Sequence, residues 1–218
     1  MTLRHYSLFD KICIEFDKGL KTLNGVITTT GRENPAKDAV IELSETPLSP
    51  TEKQHAAGLM RVNHTGEICA QALYQGQALT AKLPDIREKL QHAAQEENDH
   101  LAWCQNRLNE LQSHTSYLNP FWYFGSYLMG AVAGLIGDNI SLGFLAETEQ
   151  QVVNHLQSHL KLLPENDLKS RAIVTQMELD EAKHGDMAIE HGAATLPDWV
   201  KTCMHYQSKV MTTVAYWL

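Results

Sequence analysis

The sequence contains two copies of the pattern Glu-x-x-His, one formed by Glu97 and His100 and the other by Glu181 and His184. Residues three positions apart lie on the same face of an α-helix, so each Glu can bind a metal ion together with its own His. Helical bundles that hold two metal ions take one such pair from each of two helices and one Glu from each of two others. The pattern therefore predicts an all-α four-helix bundle and requires two further glutamates.

Glu67 and Glu149 are the candidates for those two positions. Glu67 precedes Glu97 by 30 residues, and Glu149 precedes Glu181 by 32. The similar spacing predicts two related helical hairpins. Glu147 falls well away from the apolar stripe of its segment, so Glu149 is the better candidate.

Apolar residues recur every three or four positions through most of the chain, which indicates amphipathic helices. The predicted helices cover residues 7–23, 51–81, 85–113, 141–163, 167–194 and 198–218. Ser7 is a candidate N-cap. Gly, Thr, Pro and scattered charges between residues 24 and 50 predict a long surface loop. We expect an N-terminal helix and loop over 1–50 and the bundle over 51–218, in one domain overall.

The four glutamates all fall on stripes that should face the core, where a carboxylate without a partner costs several kcal/mol. Four buried carboxylates repel one another unless cations lie between them, and two divalent ions would balance their charge. Mixed carboxylate and imidazole ligands suit iron or manganese better than zinc. The sequence therefore predicts a site for two metal ions, iron or manganese, bound by Glu67, Glu97, His100, Glu149, Glu181 and His184.

Several other polar residues leave alternatives open. Asp180 precedes Glu181 and either accepts a hydrogen bond from a ligand histidine or is a solvated surface charge. His155 lies beyond Glu149 and is a minor ligand candidate. The histidines that we expect to be surface or core residues rather than ligands are His64, His92, His155 and His159.

The stretch over residues 115–137 is uncharged and contains aromatic residues followed by a glycine-rich apolar run. A helix that spans a bilayer needs about 20 apolar residues. The apolar part of this stretch, Phe121 to Gly137, is shorter, glycine-rich and bounded by Pro120 and Asp138, so we do not expect it to cross a membrane. It is either a buried crossover between the two halves of the bundle or an exposed apolar surface that rests on a membrane and admits a lipid. We favour the exposed surface, to which Trp217 would add.

Composition excludes other classes of protein. The net charge is −8, and no basic cluster is present, so nucleic-acid binding is not expected. The four cysteines are widely spaced, which is typical of reduced thiols in a cytosolic compartment. No apolar leader is visible near Met1, so no secretory signal is expected.

Four motifs resemble the Coq7 family of di-iron hydroxylases of ubiquinone biosynthesis. They are RVNHTGE (61–67), ENDHLAWC (97–104), ETEQQV (147–152) and DEAKHG (180–185). The resemblance implies a ferritin-like fold and hydroxylation of the ring of a polyprenyl methoxy-methyl-benzoquinol (demethoxyubiquinol) with O2. It carries the iron ligands over to the same six residues. It also implies a reductant that the sequence does not identify, other ubiquinone-biosynthesis proteins as partners, and peripheral attachment to the cytoplasmic face of the cell (inner) membrane.

One departure from the family and two alternative functions stay open. Some relatives carry a tyrosine after the histidine that matches His155, whereas this chain has Leu156. A di-iron quinol oxidase or ferroxidase would consume O2 without producing an oxygenated quinone. A non-enzymatic scaffold that binds quinone lipids would not bind two iron ions per chain.

Overall fold

Seven α-helices make up the regular structure in the part of the chain that the computed structural model describes, which is residues 7–26, 28–37 and 47–218. They are α1 (Leu8–Leu23), α2 (Pro50–Thr80), α3 (Pro84–Glu110), α4 (Asn119–Ile136), α5 (Asp138–Leu162), α6 (Leu168–Glu190) and α7 (Asp198–Trp217). Those residues contain no strand, and the prediction of an all-α, ferritin-like bundle is confirmed.

Local sequence signals explain where most helices begin. Ser7 caps α1 as predicted and exchanges hydrogen bonds with Asp10 in a capping box, and Ser49 does the same for α2 with Glu52. Helix α5 begins at Asp138, three residues before the predicted start. The Asp138 carboxylate accepts hydrogen bonds from two backbone amides in the turn between α2 and α3, at 3.0 and 2.9 Å.

The four long helices form two hairpins, α2 with α3 and α5 with α6, as the glutamate spacing predicts. Their buried apolar residues form one cluster around Met60 and Met177 and another around Tyr74 and Leu145. The predicted inward stripes of α2, α3 and α6 are all buried. A layer of charged side chains lies on the same stripes of the four helices as these apolar clusters.

The apolar stretch forms α4, which packs along α2. Glycines let the two helices approach closely, because an added Cβ at Gly76 or Gly130 would clash with the backbone of the other helix. The opposite side of α4 exposes an apolar stripe formed by Phe121, Phe124, Leu128, Val132 and Leu135. In the part of the chain described, no helix combines the length and the apolar character that crossing a bilayer requires.

The N-terminal segment lies on the surface, as predicted for a loop, over its described residues 24–26 and 28–37. It is nevertheless attached to the bundle, because Ala36 is buried in the cluster around Met60. Helix α1 exposes large apolar side chains at Phe9, Phe16 and Leu20. Residues 27 and 38–46 of the predicted loop lie outside the described residues.

Candidate metal centre

The structure brings all six predicted ligand residues together inside the bundle. Helix α2 contributes one of them, α5 another, and α3 and α6 contribute a Glu and a His each. They form two overlapping groups whose ligand atoms lie within 4.8 Å of one another: Glu67, Glu97, His100 and Glu181 in the first, and Glu149, Glu181 and His184 in the second. All of these side chains are buried. Such a cluster could hold a metal ion.

Two carboxylates are shared between the histidines. Glu97 Oε2 lies 2.9 Å from Nδ1 of His100, and its Oε1 lies 3.2 Å from Nδ1 of His184. Glu181 lies 3.1 Å from the same two nitrogens, through Oε1 and Oε2 respectively. Glu97 and Glu181 therefore each lie beside both histidines, whereas Glu67 lies 3.4 Å from His100 only.

The cluster has more acceptors than donors. One buried oxygen of each glutamate, Glu67 Oε2, Glu97 Oε1, Glu149 Oε2 and Glu181 Oε1, has no hydrogen-bond partner. A single Nδ1–H can donate to only one of the oxygens around it, and a buried acceptor without a donor is destabilising. The other oxygen of Glu149 accepts a 2.6 Å hydrogen bond from the Tyr74 hydroxyl. Cations between the carboxylates would satisfy the four remaining oxygens, so this donor set fits metal ions.

The pKa shifts have the same origin. Burial, and then the charges of Glu97 and Glu181, raise the pKa of Glu67 well above its ordinary value. Burial and the same two charges also raise the pKa of Glu149. Burial opposes a charge on His100, but the charge of Glu97 and the hydrogen bonds to Asp180, Glu181 and Glu67 together outweigh it and raise the pKa of the imidazole. The two histidines thus cannot compensate four carboxylates, and positive charge is needed to keep all four ionised.

The outer nitrogen of each histidine faces a carboxylate of the other hairpin. His100 Nε2 lies 3.2 Å from Asp180 Oδ2, and His184 Nε2 lies 3.1 Å from Glu96 Oε2. Asp180 is buried, so of the two alternatives it is the hydrogen-bond partner and not a solvated charge. Burial alone would raise the pKa of Asp180, but hydrogen bonds led by that from His100 hold it well below its usual range.

Sequence reasoning missed Glu96, although a signal was present. An acidic residue directly precedes the Glu of both motifs, and each of the two, Glu96 and Asp180, contacts the histidine of the opposite motif. A hydrogen bond from Nε2–H to a carboxylate leaves the Nδ1 lone pair free to bind a metal. The five-residue pattern, and not only Glu-x-x-His, is therefore the informative unit.

The remaining histidines lie outside the cluster. His92 is exposed, whereas burial lowers the pKa of His64 and His155 to about 4 and, with the nearby His155 and His55, lowers that of His159 to about 3. His155, the minor ligand candidate, lines a neighbouring cavity.

That cavity of about 130 Å³ lies between α2, α4, α5 and α7 and reaches Glu67. Most of its wall is apolar, formed by residues such as Leu73, Met129, Phe144 and Met211. Besides Glu67, three lining side chains nevertheless carry a buried polar atom without a partner, namely Asn63 Oδ1, Trp122 Nε1 and His155 Nε2. Buried polar atoms are normally paired, so these atoms indicate a ligand with polar groups of its own.

A ferritin-like bundle with a buried cluster of four glutamates and two histidines defines the class of carboxylate metalloproteins. Residues 54–215 match the family described as ubiquinone biosynthesis protein COQ7, and the chain belongs to this family. The resemblance found in the motifs is confirmed.

Similar proteins named 3-demethoxyubiquinol 3-hydroxylase occur in several bacteria. The protein of Polynucleobacter asymbioticus is 55% identical over 210 residues, which cover 96% of this chain and 99% of the relative. That of Nitrosococcus oceani is 52% identical over 215 residues, or 99% of each chain. That of Acinetobacter baumannii is 54% identical over 216 residues, 99% of this chain and all of the relative. The similarity therefore extends along nearly the whole chain.

Proposed function

We propose that this protein is a metal-dependent monooxygenase that hydroxylates the ring of demethoxyubiquinol in ubiquinone biosynthesis. The observation that carries the proposal is the apolar cavity that ends at Glu67, one of six buried residues suited to bind metal. The names of the relatives supply the substrate class.

The metals in this proposal are two iron ions per chain. Glu67, Glu97, His100 and Glu181 would hold one, and Glu149, Glu181 and His184 would hold the other. Bound there, the irons would activate O2, so that one oxygen atom enters the ring and the other leaves as water with two protons and two electrons from a reductant. The surrounding side chains exclude water and orient the substrate.

The cavity suits the head group of a quinol. An apolar cavity of about 150 Å³ can take up benzene, so this cavity of about 130 Å³ has room for one aromatic ring. Asn63 Oδ1 would accept a hydrogen bond from a ring hydroxyl, and Trp122 Nε1 would donate one to a ring oxygen. Both hydrogen bonds would orient the ring carbon towards the cluster.

The polyprenyl tail would leave the cavity at a membrane surface. Helices α4 and α7, which line the cavity, also expose large apolar side chains, among them Phe121 and Phe124 on α4 and Tyr206 and Val210 on α7. Apolar helix faces of this kind bind in the interfacial region of a bilayer. We propose peripheral attachment through these helices, at the cytoplasmic face expected from the cysteines.

Quinones extracted from cells that lack the protein test the function directly. We expect a species that lacks one methoxy group to accumulate, and to be cleared by the wild-type protein but not by Glu181→Ala. The matched control is Glu178→Ala, one turn earlier on α6, where the side chain bonds only with Gln157 among the described contacts. A normal ubiquinone pool in the deletion strain would contradict the proposal and favour the oxidase or ferroxidase.

The role of the cavity is tested by Asn63→Ala in the purified enzyme. We expect KM for a short-chain demethoxyubiquinol to rise about fivefold, the equivalent of one hydrogen bond of about 1 kcal/mol. Iron content should not change. Asn154→Ala, at an exposed position of α5, is the control. An unchanged KM in Asn63→Ala would place the substrate elsewhere.

The membrane surface is tested by flotation with vesicles of phosphatidylethanolamine and phosphatidylglycerol. The double variant Phe121→Ser with Phe124→Ser should lose most of the bound fraction. Leu179→Ser with Ile189→Ser removes two exposed apolar residues from α6 and should float like the wild type. Equal flotation of both double variants would show that α4 is not the docking surface.

A further inference from the structure

The described segment 28–37, which precedes the part of the chain that matches the family, contacts the metal centre from outside. The Thr30 backbone amide donates a 2.8 Å hydrogen bond to Asp99 Oδ1, and the Thr30 hydroxyl donates to Asp99 Oδ2. Arg32 Nε donates to the same Oδ2 at 3.0 Å, and Asn98 donates to the Thr28 carbonyl at 3.0 Å. The segment is therefore anchored on α3 beside the first Glu-x-x-His motif.

Arg32 extends this anchor to the second motif. Its Nη2 lies 2.8 Å from Asp180 Oδ2, the same oxygen that lies 3.2 Å from His100 Nε2. The guanidinium also lies 4.9 Å from the ring centre of Trp103, and that indole lies 5.4 Å from the His100 ring. Arg32 thus joins α3 to α6 and contacts the direct partners of His100 on two sides.

These contacts differ from those of an ordinary surface ion pair. The Asp99 side chain is fully buried and that of Asp180 is 4% exposed, whereas 31% of Arg32 remains exposed. A buried carboxylate requires compensating charge and hydrogen bonds. The planar guanidinium supplies positive charge to two carboxylates at once and a hydrogen bond to Asp99, in a fixed geometry that lysine does not reproduce.

The contacts also fix the direction in which Asp180 points. Gln176 and Lys183 bind its Oδ1 at 3.1 and 2.9 Å, so Oδ2 is directed into the space between Arg32 and His100. A carboxylate held from both sides cannot rotate away from the imidazole. The orientation and the tautomer of His100 depend on this oxygen.

We propose that Arg32 is a positioning residue of the metal centre. It holds Asp180 so that Nε2–H of His100 is engaged and Nδ1 is presented to a metal ion. The proposal rests on the proposed metal-binding function and adds a part of the chain, residues 28–32, that the six ligands do not include. Arg32 does not itself contact a ligand-donating atom of the six residues, so it acts through Asp180.

The test compares Arg32→Gln and Arg32→Lys with Arg171→Gln, in the full chain. Arg171 binds two backbone carbonyls at the turn between α5 and α6 and serves as a matched control. Metal-free protein is titrated anaerobically with Fe²⁺ by calorimetry, and near-infrared circular dichroism records the ligand field of each iron. We expect Arg32→Gln to weaken one of two Fe²⁺ sites about 10-fold, the lower end of the effect of losing a group that orients a metal ligand. In the same variant, the near-infrared circular dichroism bands of one of the two irons should shift.

A double-variant cycle distinguishes positioning from simple stabilisation. If Arg32 acts through Asp180, Arg32→Gln combined with Asp180→Asn should bind Fe²⁺ no more weakly than Asp180→Asn alone. The Fe²⁺ affinity of Arg32→Lys should lie between those of the wild type and Arg32→Gln. If Arg32→Gln does not fold, the affinity of Arg32→Lys tests the proposal instead. Wild-type affinity and spectrum in the Arg32 variants, with only a lower melting temperature, would overturn the proposal. Failure of the wild type to bind Fe²⁺ would instead overturn the proposed function.

Discussion

His100 and His184 stand in the same sequence pattern, yet the structure surrounds them differently. The outer nitrogen of His100 faces Asp180, a buried carboxylate that the ion pair with Arg32 covers. That of His184 faces Glu96, whose side chain is 29% exposed. Glu96 lies in a groove of about 530 Å³ whose other lining residues include Asp85, Glu88, Lys89, His92, Lys183 and Met187. The outer side of the His100 half is covered by protein, whereas that of the His184 half borders an open groove.

Access and rigidity are thus divided between the two halves of this centre. A partly exposed carboxylate interacts weakly, because water screens its charge and can replace its hydrogen bonds. A buried carboxylate has no such replacement. We therefore expect the His100 half to depend strongly on its outer partners, and the His184 half to exchange metal more readily through the groove.

Removal of a carboxylate that lies beside both histidines should cause the largest loss of activity, because it affects both halves of the centre. Glu97→Ala removes a group within 3.2 Å of both histidines. We expect activity to fall by more than about 100-fold, beyond the loss of an outer partner alone. Iron per chain, measured by mass spectrometry, should fall further than in Glu67→Ala. An equal loss of iron in the two variants would contradict the shared role of Glu97.

The next prediction compares the two outer partners. Asp180→Asn should weaken Fe²⁺ binding by roughly 10- to 100-fold, whereas Glu96→Gln should weaken it only a few-fold, since water can replace the exposed Glu96. Anaerobic titration of metal-free protein gives both values. High salt should reduce the loss of Fe²⁺ affinity caused by Glu96→Gln and should not change the loss caused by Asp180→Asn. Equal effects, or a larger one for Glu96→Gln, would remove the distinction between a closed and an open half.

Much of this centre could be predicted from the sequence, because helical periodicity reports which face of a helix is buried. Glu97 and Glu181 fall on apolar stripes, and a buried charge at such a position requires a partner. The four long helices and their pairing follow from the same pattern and from prolines such as Pro84 and Pro164. Their bounds differ from the structure by only a few residues, as helix ends usually do.

The closed half could not be predicted in the same way. Arg32 lies in a segment without periodicity, and its partners Asp99 and Asp180 are 67 and 148 residues away in the chain. Nothing local in the sequence specifies a contact at that distance. The exposed apolar stripe on α4 was similarly ambiguous, since a buried crossover and a surface helix have the same composition. The structure resolves it because the glycines face α2 while the large side chains point outward.

His159 shows what burial and neighbouring imidazoles, without a carboxylate, do to a histidine. His159 is buried but faces no carboxylate among its described contacts, and burial, followed by the charges of His155 and His55, lowers its pKa to about 3. The unfolded chain, with a histidine pKa near 6.5, binds a proton that the folded state does not. Stability from this residue is therefore complete above about pH 6.5 and is lost as the pH falls towards 3, by about 2 kcal/mol at pH 5.

Urea unfolding of the metal-free protein at pH 7 and pH 5 measures this contribution of His159 to the free energy of unfolding. His159→Gln should lose less free energy of unfolding than the wild type between the two pH values. His92→Gln, at a side chain that is 73% exposed, should behave like the wild type. The contributions of His100 and His184 to stability change with pH in the opposite direction, because their carboxylate partners raise their pKa values. A decline in His159→Gln as steep as in the wild type would mean that the folded state accepts this proton and that burial does not govern the residue.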